Sequence, residues 1–195
     1  MALDAQEVMV AGSGHLWVAD LRDNPSFPSG TAGPTATLDD VFMDVGYITE
    51  DGPTFSVTPT TEDLNAWQSF DPIRRLVTSR VTAVAASLQQ WNQTTFNAAF
   101  GGGSWTQPAA GVFRYDPPAD EDALPEFAAV LDVQDGDKNG RFVLYRTSIT
   151  DAVETTFTRS GAALLPVTMN TLRPEDQTRS WYFVSDDEGS FTFAS

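Results

Sequence analysis

Side chains alternate in character at every second position in several separate stretches of this chain. In residues 55–60, 127–133 and 153–158, one set of alternate positions collects the larger or more apolar side chains. A period of two places neighbouring side chains on opposite faces of an extended strand, whereas a helix would require a period of 3.6. The pattern therefore predicts a mainly β fold built from half-buried strands.

Two stretches carry apolar side chains on both faces. Residues 141–149 place Val143 and Tyr145 on one face and Phe142 and Leu144 on the other, and residues 75–88 show the same property. A strand that is apolar on both faces is typical of a sheet covered on both sides. We expect residues 141–149 to form a central strand and residues 75–88 to form the longest strand.

The sequence predicts one short helix at about residues 92–100. Asn92 is a favourable N-cap residue, because its side chain can accept a hydrogen bond from a free backbone N–H of the first turn. Phe96 and Phe100 are four residues apart and so share one helix face. Gly101 follows as a C-terminal stop, since glycine readily adopts the left-handed conformation that ends many helices.

Three segments are rich in proline and glycine, and we interpret them as loops or arms. They comprise an N-terminal arm at about residues 22–40, a hairpin-like excursion at about residues 47–67 and a loop at residues 101–126. Connections of this length are uncommon in a compact monomer unless they have a function. We also expect a short helical turn after Pro174, because two acidic residues follow it.

Length and composition favour one folded domain over residues 1–195. Apolar residues make up 41% of the chain and include 13 Phe and 5 Trp, enough for a sizeable core. The net charge of −16 argues against nucleic-acid binding, which requires a basic surface, and against an anionic membrane surface. Ten of the eleven basic residues are arginines, which suit bidentate pairing at interfaces.

The absence of cysteine excludes disulfides, thiolate metal sites and cysteine nucleophiles. Residues 1–11 lack the basic and apolar regions of a signal peptide, and no apolar run reaches the length that spans a bilayer. We therefore expect the protein to remain in the cytosol or in a particle assembled there, with no membrane partner.

No catalytic or cofactor-binding site emerges from the residues. His15 is the only histidine and occurs at a strand entry, where a structural or solvated role is expected. The sequence Gly12-Ser13-Gly14 lacks the further residues of a phosphate loop or a dinucleotide fingerprint. Paired carboxylates could support glycoside hydrolysis, but the sequence indicates no two acids facing one cleft. We predict no catalytic, cofactor-binding or metal-binding residue, and no cofactor.

One segment resembles part of a calcium loop. Asp135, Asp137 and Asn139 occupy positions 1, 3 and 5 of an EF-hand pattern, and Gly140 occupies position 6. The twelfth position is Arg146, where calcium binding requires a glutamate. The segment also lies between two predicted strands, so a hairpin turn is the favoured interpretation. A calcium-dependent carbohydrate-binding module remains the alternative.

The chain resembles the major tail (tail tube) proteins of siphophages, especially those that infect actinobacteria. The similarity rests on Trp67 and on five stretches that together touch most of the chain. These stretches are residues 44–57 (DVGYITEDGPTFSV), 71–75 (DPIRR), 77–93 (VTSRVTAVAASLQQWNQ), 94–103 (TTFNAAFGGG) and 161–172 (GAALLPVTMNTL).

The resemblance implies a β-sandwich or barrel flanked by one short helix, without enzymatic activity. It also implies self-assembly into homo-hexameric rings that stack into a tube in the virion tail, from subunits made in the host cytoplasm. The implied partners are the tape measure protein, the tail terminator and the distal tail protein, with DNA as passing cargo through an acidic lumen. Another virion component, or a tube protein of the type VI kind, is an alternative. We hypothesise that residues 22–40 and 47–67 contact neighbouring subunits or rings.

Overall fold

A computed structural model describes residues 7–119, 125–151, 153–188 and 190–191 of the chain. The described residues form a mainly β protein with one α-helix and antiparallel strands. The elements, in chain order, are β1 (Ser13–Asp20), β2 (Met43–Asp44), β3 (Thr54–Leu64), β4 (Arg74–Leu88), α1 (Gln93–Phe100), β5 (Ser104–Ala109), β6 (Val112–Asp116), β7 (Glu126–Asp135), β8 (Lys138–Ile149), β9 (Leu165–Thr171) and β10 (Trp181–Ser185).

The main sheet contains eight of these described strands, and β8 lies at its centre. The strand order is β2-β1-β7-β8-β9-β4-β3, and β10 pairs with the first half of β8 while β9 pairs with its end. The predicted central strand is confirmed, since both faces of β8 carry buried side chains. The predicted length of residues 75–88 is also confirmed, because β4 has 15 residues and is the longest of the described strands. Its expected covering on both sides is wrong for the first half, since Leu76, Val77 and Val81 are exposed there and only Thr82–Leu88 enter the barrel.

The sheet curls into a barrel that residues 43–49 close. The backbone N–H of Val45 donates to the carbonyl oxygen of Leu16 on β1 at 3.0 Å. Four residues later, the N–H of Thr49 donates to the carbonyl of Ser87 on β4, also at 3.0 Å. One short segment thus joins strands from the two ends of the sheet. This closure satisfies backbone groups that would otherwise form open sheet edges.

The barrel core is apolar and is plugged by α1. Leucine and methionine side chains from β1, β4, β8 and β9 are fully buried there, and Ala98 and Ala99 of α1 join the same cluster. The predicted helix is confirmed: Asn92 is its N-cap and accepts from the N–H of Thr95 at 2.9 Å, and Gly101 is its left-handed C-cap. The short helix is therefore stopped at both ends by the predicted residues.

A second apolar cluster lies on the outer face of the barrel. Alternate residues of β7 divide between the two clusters, with Leu131 in the barrel core and Val130 in the outer cluster. Residues 24–42, which we call the covering segment, pack over this outer face through Phe27, Leu38 and Phe42. The segment contains most of the predicted arm at residues 22–40. In the folded subunit these residues shield apolar surface of their own sheet.

Three local predictions are wrong. Residues 153–158 form no strand: their alternation supplies two faces, but a strand also requires a partner edge, and these residues pair with none of the described strands. Residues after Pro174 form bends and no helical turn, since a single turn gains too few hydrogen bonds to offset its nucleation cost. The predicted loop at residues 101–126 instead contains the β5–β6 hairpin, and residues 120–124 of it lie outside the described residues.

The β5–β6 hairpin was missed because its glycines and prolines indicate a loop. Gly101, Gly102 and Gly103 all have positive φ angles, of 74°, 89° and 107°, and they lead the chain from α1 into β5. The hairpin is then held by a cross-strand pair, in which the rings of Trp105 and Tyr115 lie 5.2 Å apart. Aromatic pairs of this kind stabilise small sheets whose strands have weak intrinsic propensity.

Candidate assembly surface

The outer half of the β3–β4 hairpin projects from the barrel as a free arm. β4 pairs with β9 only through Ala83–Leu88, so from Thr82 to Arg74 its described partner strand is β3 alone. We call residues 57–81 the spur. Eight residues separate Thr82 from Arg74, and at about 3.3 Å per residue the spur tip stands about 26 Å from the barrel edge.

Hydrogen bonds hold the spur in one shape up to its tip. The β3–β4 ladder continues to the pair Leu64 and Arg74, beyond a bulge between Thr60 and Thr61. The N–H of Ile73 donates to the carbonyl of Leu64 at 2.9 Å, which closes the ladder at the base of the turn. Bulges increase local twist and aim the strands that follow. The two strands are therefore paired up to the turn, and the exposed tip makes no core contact with its own barrel.

The turn at the tip presents two aromatic side chains to solvent. Trp67 is 96% exposed and Phe70 is completely exposed. The turn is fixed beneath them, because the hydroxyl of Ser69 donates to the carbonyl of Asp71 at 2.9 Å and the N–H of Ser69 donates to Ala66 at 3.1 Å. Further large apolar side chains on the spur are exposed as well, namely Val57, Leu64, Ile73, Leu76, Val77 and Val81. Exposed apolar side chains gathered on one projection are typical of a contact site with another molecule.

The spur is electrically neutral, although the chain as a whole carries a charge of −16. Its three acids, Glu62, Asp63 and Asp71, are balanced by Arg74, Arg75 and Arg80. Like-charged proteins repel each other at short range. A neutral projection is thus the part of this molecule that can approach a second copy with the least repulsion.

One ion pair lies along the spur and one lies beneath the covering segment, with similar geometry but different burial. On the spur, Arg75 donates two hydrogen bonds to Asp63, at 2.6 and 2.9 Å, with both side chains open to solvent. In the body, Arg141 donates to both carboxylate oxygens of Asp132, at 2.5 and 2.9 Å, and is only 5% exposed. A third bond from Arg141, to the carbonyl of Ala36 at 2.6 Å, ties the covering segment to β8.

His15 and the surrounding residues form structural contacts. His15 lies on β1, as its strand-entry context predicts, and its Nδ1 is 2.7 Å from a carboxylate oxygen of Asp44 on β2. The His15 side chain is 62% exposed, and its ring centroid is 5.8 Å from that of Trp17. The contact fastens the two-residue strand β2 to β1 at the point where the barrel closes.

The acidic segment at residues 135–140 forms the predicted hairpin turn between β7 and β8, with Gly136 at a φ of 58°. Asp135 accepts a hydrogen bond from the N–H of Val10, and the side chain of Asn139 donates to Asp186. These oxygens and amides are engaged in protein contacts. In the described part of the chain, no group of three or more histidine or acidic side chains is placed to hold a metal ion.

A buried carboxylate fastens the loop that follows β10. Hydrogen bonds from Ser190 and from Lys138 lower the pKa of Asp187 from its ordinary value of 3.8 to about 2. The Nζ of Lys138 lies 2.9 Å from one oxygen of Asp187. Lys138 begins β8, so this contact anchors the segment near residue 190 to the end of the barrel.

Sequence reasoning missed the spur tip. The predicted excursion at about residues 47–67 ends in mid-turn, whereas residues 47–49 belong to the barrel closure and the turn spans residues 65–73. A signal was present in the sequence, because Trp67 and Phe70 stand among residues that favour turns, namely Ser69, Asp71 and Pro72. Aromatic residues in a turn have no core to enter and so indicate a contact surface.

A barrel with a neutral, apolar projection is the architecture of a protein that associates through its surface. Within the described residues, no helix is long and apolar enough to cross a bilayer. A search of curated proteins found no match.

The family model for phage tail tube proteins matches residues 1–194, and the chain belongs to this family. It is a structural subunit of the phage tail tube, located in the virion tail, and its family is not an enzyme family. The predicted resemblance to tail tube proteins is therefore confirmed, as is the predicted mainly β fold with one helix.

Proposed function

We propose that the subunits close into hexameric rings, which stack into the tube of a long flexible siphophage tail and form the conduit for DNA ejection. The number six and the siphophage type come from the sequence resemblance. In this proposal the tape measure protein occupies the growing tube, and the tail terminator and the distal tail protein lie at its two ends. Before assembly, the free subunit is present in the host cytoplasm.

The neutral spur is the observation that carries the proposal. A projection of about 26 Å reaches well beyond its own barrel and presents Trp67 and Phe70 to a neighbour. Aromatic side chains and arginine are the residues that contribute most to protein interfaces. Contacts in which one surface meets a different surface of the next copy extend without limit unless they close, which is the geometry a tube requires.

The charge of the body supports a role for DNA as cargo. Six copies would multiply a charge of −16, and any carboxylates that face the bore would repel the phosphate backbone. DNA would then pass without adhering to the wall. A basic lumen would hold the DNA by counterion release and slow its exit.

A deletion of the spur tests its role, and the contacts of the barrel determine which residues the deletion must keep. Residues 47–49 and Phe55 must remain, because the former close the barrel and the ring of Phe55 stacks on Phe142 at 4.5 Å. The covering segment must also remain, since its removal would uncover the outer cluster. The deletion therefore replaces residues 58–81 with an Asn-Gly turn that joins Val57 directly to Thr82, two residues that already pair.

We expect the shortened protein to fold and to form no tubes in electron micrographs, under conditions in which the full chain forms them. The double variant Trp67→Ser/Phe70→Ser should have the same defect with less disturbance. Phe113→Ser provides a matched control, because Phe113 is 70% exposed at the tip of the other hairpin. Tubes of normal length from the shortened protein would contradict the role of the spur. The role of the spur would also be contradicted if Phe113→Ser abolished the tubes while Trp67→Ser/Phe70→Ser did not.

A further inference from the structure

An open cavity of about 450 Å³ lies where the covering segment meets the loop at residues 173–177. Its apolar wall contains Pro25 and Pro174, which are buried, together with Phe27 and Tyr145. The rings of Phe27 and Tyr145 meet edge to face with centroids 4.9 Å apart. This wall is thus rigid and largely aromatic, which suits a flat apolar side chain.

The rim of the cavity is acidic. Arg146 is fully engaged there, because it donates to both carboxylate oxygens of Glu126 at 2.6 and 2.8 Å and to the carbonyl of Arg173 at 3.2 Å. Glu175 and Asp176 stand on the same rim and are exposed. The hydrogen bond that Arg146 donates to Glu126 raises the pKa of Arg146, and the charge of Glu175 adds to this rise. With Arg146 neutralised by Glu126, these two carboxylates give the cavity a net negative charge.

The spur tip carries the complementary groups. Trp67 and Phe70 are exposed aromatics, and Arg74 stands at the base of the turn opposite Leu64. The neighbouring Arg75 is paired with Asp63, whereas the Arg74 guanidinium has no carboxylate partner among the described residues. An arginine beside an aromatic ring matches a cavity that offers carboxylates beside an aromatic wall.

The occupant of the cavity must come from another molecule. The β3–β4 ladder extends to Leu64 and Arg74 and holds the tip about 26 Å away from the barrel edge. Trp67 and Phe70 are exposed in the folded subunit, so the tip fills no cavity of its own barrel. A second copy supplies the same tip without any strain.

We propose that this cavity receives the spur tip of a second copy, with the tip aromatics against Phe27 and Tyr145 and Arg74 between Glu175 and Asp176. The inference rests on the proposed function, because it names the receiving site for the assembly contact. Spur and cavity lie on different surfaces of one subunit, so the contact is heterologous and propagates from copy to copy.

Cross-linking tests the contact directly, since the chain contains no cysteine. Arg74→Cys and Asp176→Cys are prepared as separate proteins, mixed, assembled and treated with a short bis-maleimide. A linker is needed because an arginine–carboxylate contact separates the two Cα atoms beyond the reach of a disulfide. We expect covalent dimers in the assembled mixture and none when Asp51→Cys replaces Asp176→Cys. Asp51 is a matched exposed acid that lies outside the cavity.

Charge reversal provides the second measurement. Glu175→Arg/Asp176→Arg should reduce the yield of tubes at least tenfold, and adding Arg74→Glu to it should restore much of that yield. Glu50→Arg/Asp51→Arg makes the same change in net charge at a turn outside the cavity and should leave assembly intact. Circular dichroism verifies that each variant is folded.

The outcomes separate this inference from the proposed function. The cavity contact would be overturned if tubes formed with no more covalent dimer than in the Asp51→Cys control and if the Glu175→Arg/Asp176→Arg variant still assembled. That result would leave the tube role intact. If the unmodified chain forms no tubes in the presence of its tail partners, the proposed function itself fails, and the inference fails with it.

Discussion

Replacement of Arg141 by methionine should destabilise the subunit strongly. The substitution keeps most of the apolar volume but removes two hydrogen bonds to Asp132 and one to the carbonyl of Ala36. Removing one partner of a buried ion pair costs about 3 to 5 kcal/mol, because the remaining charge stays buried. Asp132 retains a bond from the Trp17 indole at 3.1 Å and is 22% exposed, so we expect a value near the lower end, about 3 kcal/mol.

Urea unfolding followed by tryptophan fluorescence measures this loss. With an m-value of about 2 kcal/mol per molar urea for a chain of this size, the midpoint should fall by about 1.5 M. Arg75→Met is the matched control, because Arg75 makes a bidentate pair with Asp63 that is open to solvent. Exposed pairs contribute little to stability, so its midpoint should not move. Equal shifts in the two variants would refute the argument that burial decides the value of the pair.

Three further predictions follow from local contacts and net charge. Asn92→Ala removes the N-cap of α1 and should cost about 1 kcal/mol in urea unfolding, while Asn92→Asp, which can still cap, should not; no loss in the alanine variant would contradict the cap. The pKa of Asp187 is lowered to about 2, so its charged form contributes stability that is fully present above its ordinary value of 3.8 and is lost as the pH falls through about 2. The stability difference between the wild type and Asp187→Asn should accordingly be constant above about pH 4 and shrink towards pH 2, and a difference that grows on acidification would be inconsistent with this sign. Assembly followed by light scattering should be faster at 0.5 M than at 0.05 M sodium chloride, since salt screens the repulsion between copies of charge −16, and slower assembly at high salt would contradict it.

The local elements were predictable because their signals lie within a few residues of each other. The alternation at residues 127–133 produces β7, the two-sided apolar pattern produces β8, and Asn92 with Gly101 bounds α1. Each of these patterns depends on hydrogen bonds or side-chain faces that neighbouring residues determine.

The pairing of distant segments was not predictable in the same way. Residues 153–158 have the alternation of a strand but pair with none of the described strands. Phe27 and Leu38 lie in a turn-rich segment yet cover the outer cluster, because Arg141 on a strand more than 100 residues away holds the carbonyl of Ala36. A single sequence does not reveal which edges and faces are still free once the barrel has closed.

The same difference between local and long-range signals applies to the candidate assembly surface. The acidic composition predicts repulsion from nucleic acid and from anionic membranes, but the neutrality of the spur emerges only when the hairpin bounds are known. A shift of the predicted excursion from residues 47–67 to residues 57–81 removes Glu50 and Asp51 and brings in Asp71 together with Arg74, Arg75 and Arg80. The boundary thus decides whether the projection is acidic or neutral, and with it whether two copies attract or repel.

The division of charge between body and spur explains how an acidic protein can assemble selectively. A charge of −16 on the body keeps free copies apart in every orientation that brings two bodies together. The spur extends about 26 Å, which exceeds the Debye length of about 8 Å at physiological ionic strength, so its tip can reach a neighbour before the bodies interact strongly. In the assembly that we propose, attraction is therefore confined to contacts made by the tip, and contacts in other orientations are disfavoured. An additional pair of acids on the spur would remove this distinction without changing the fold.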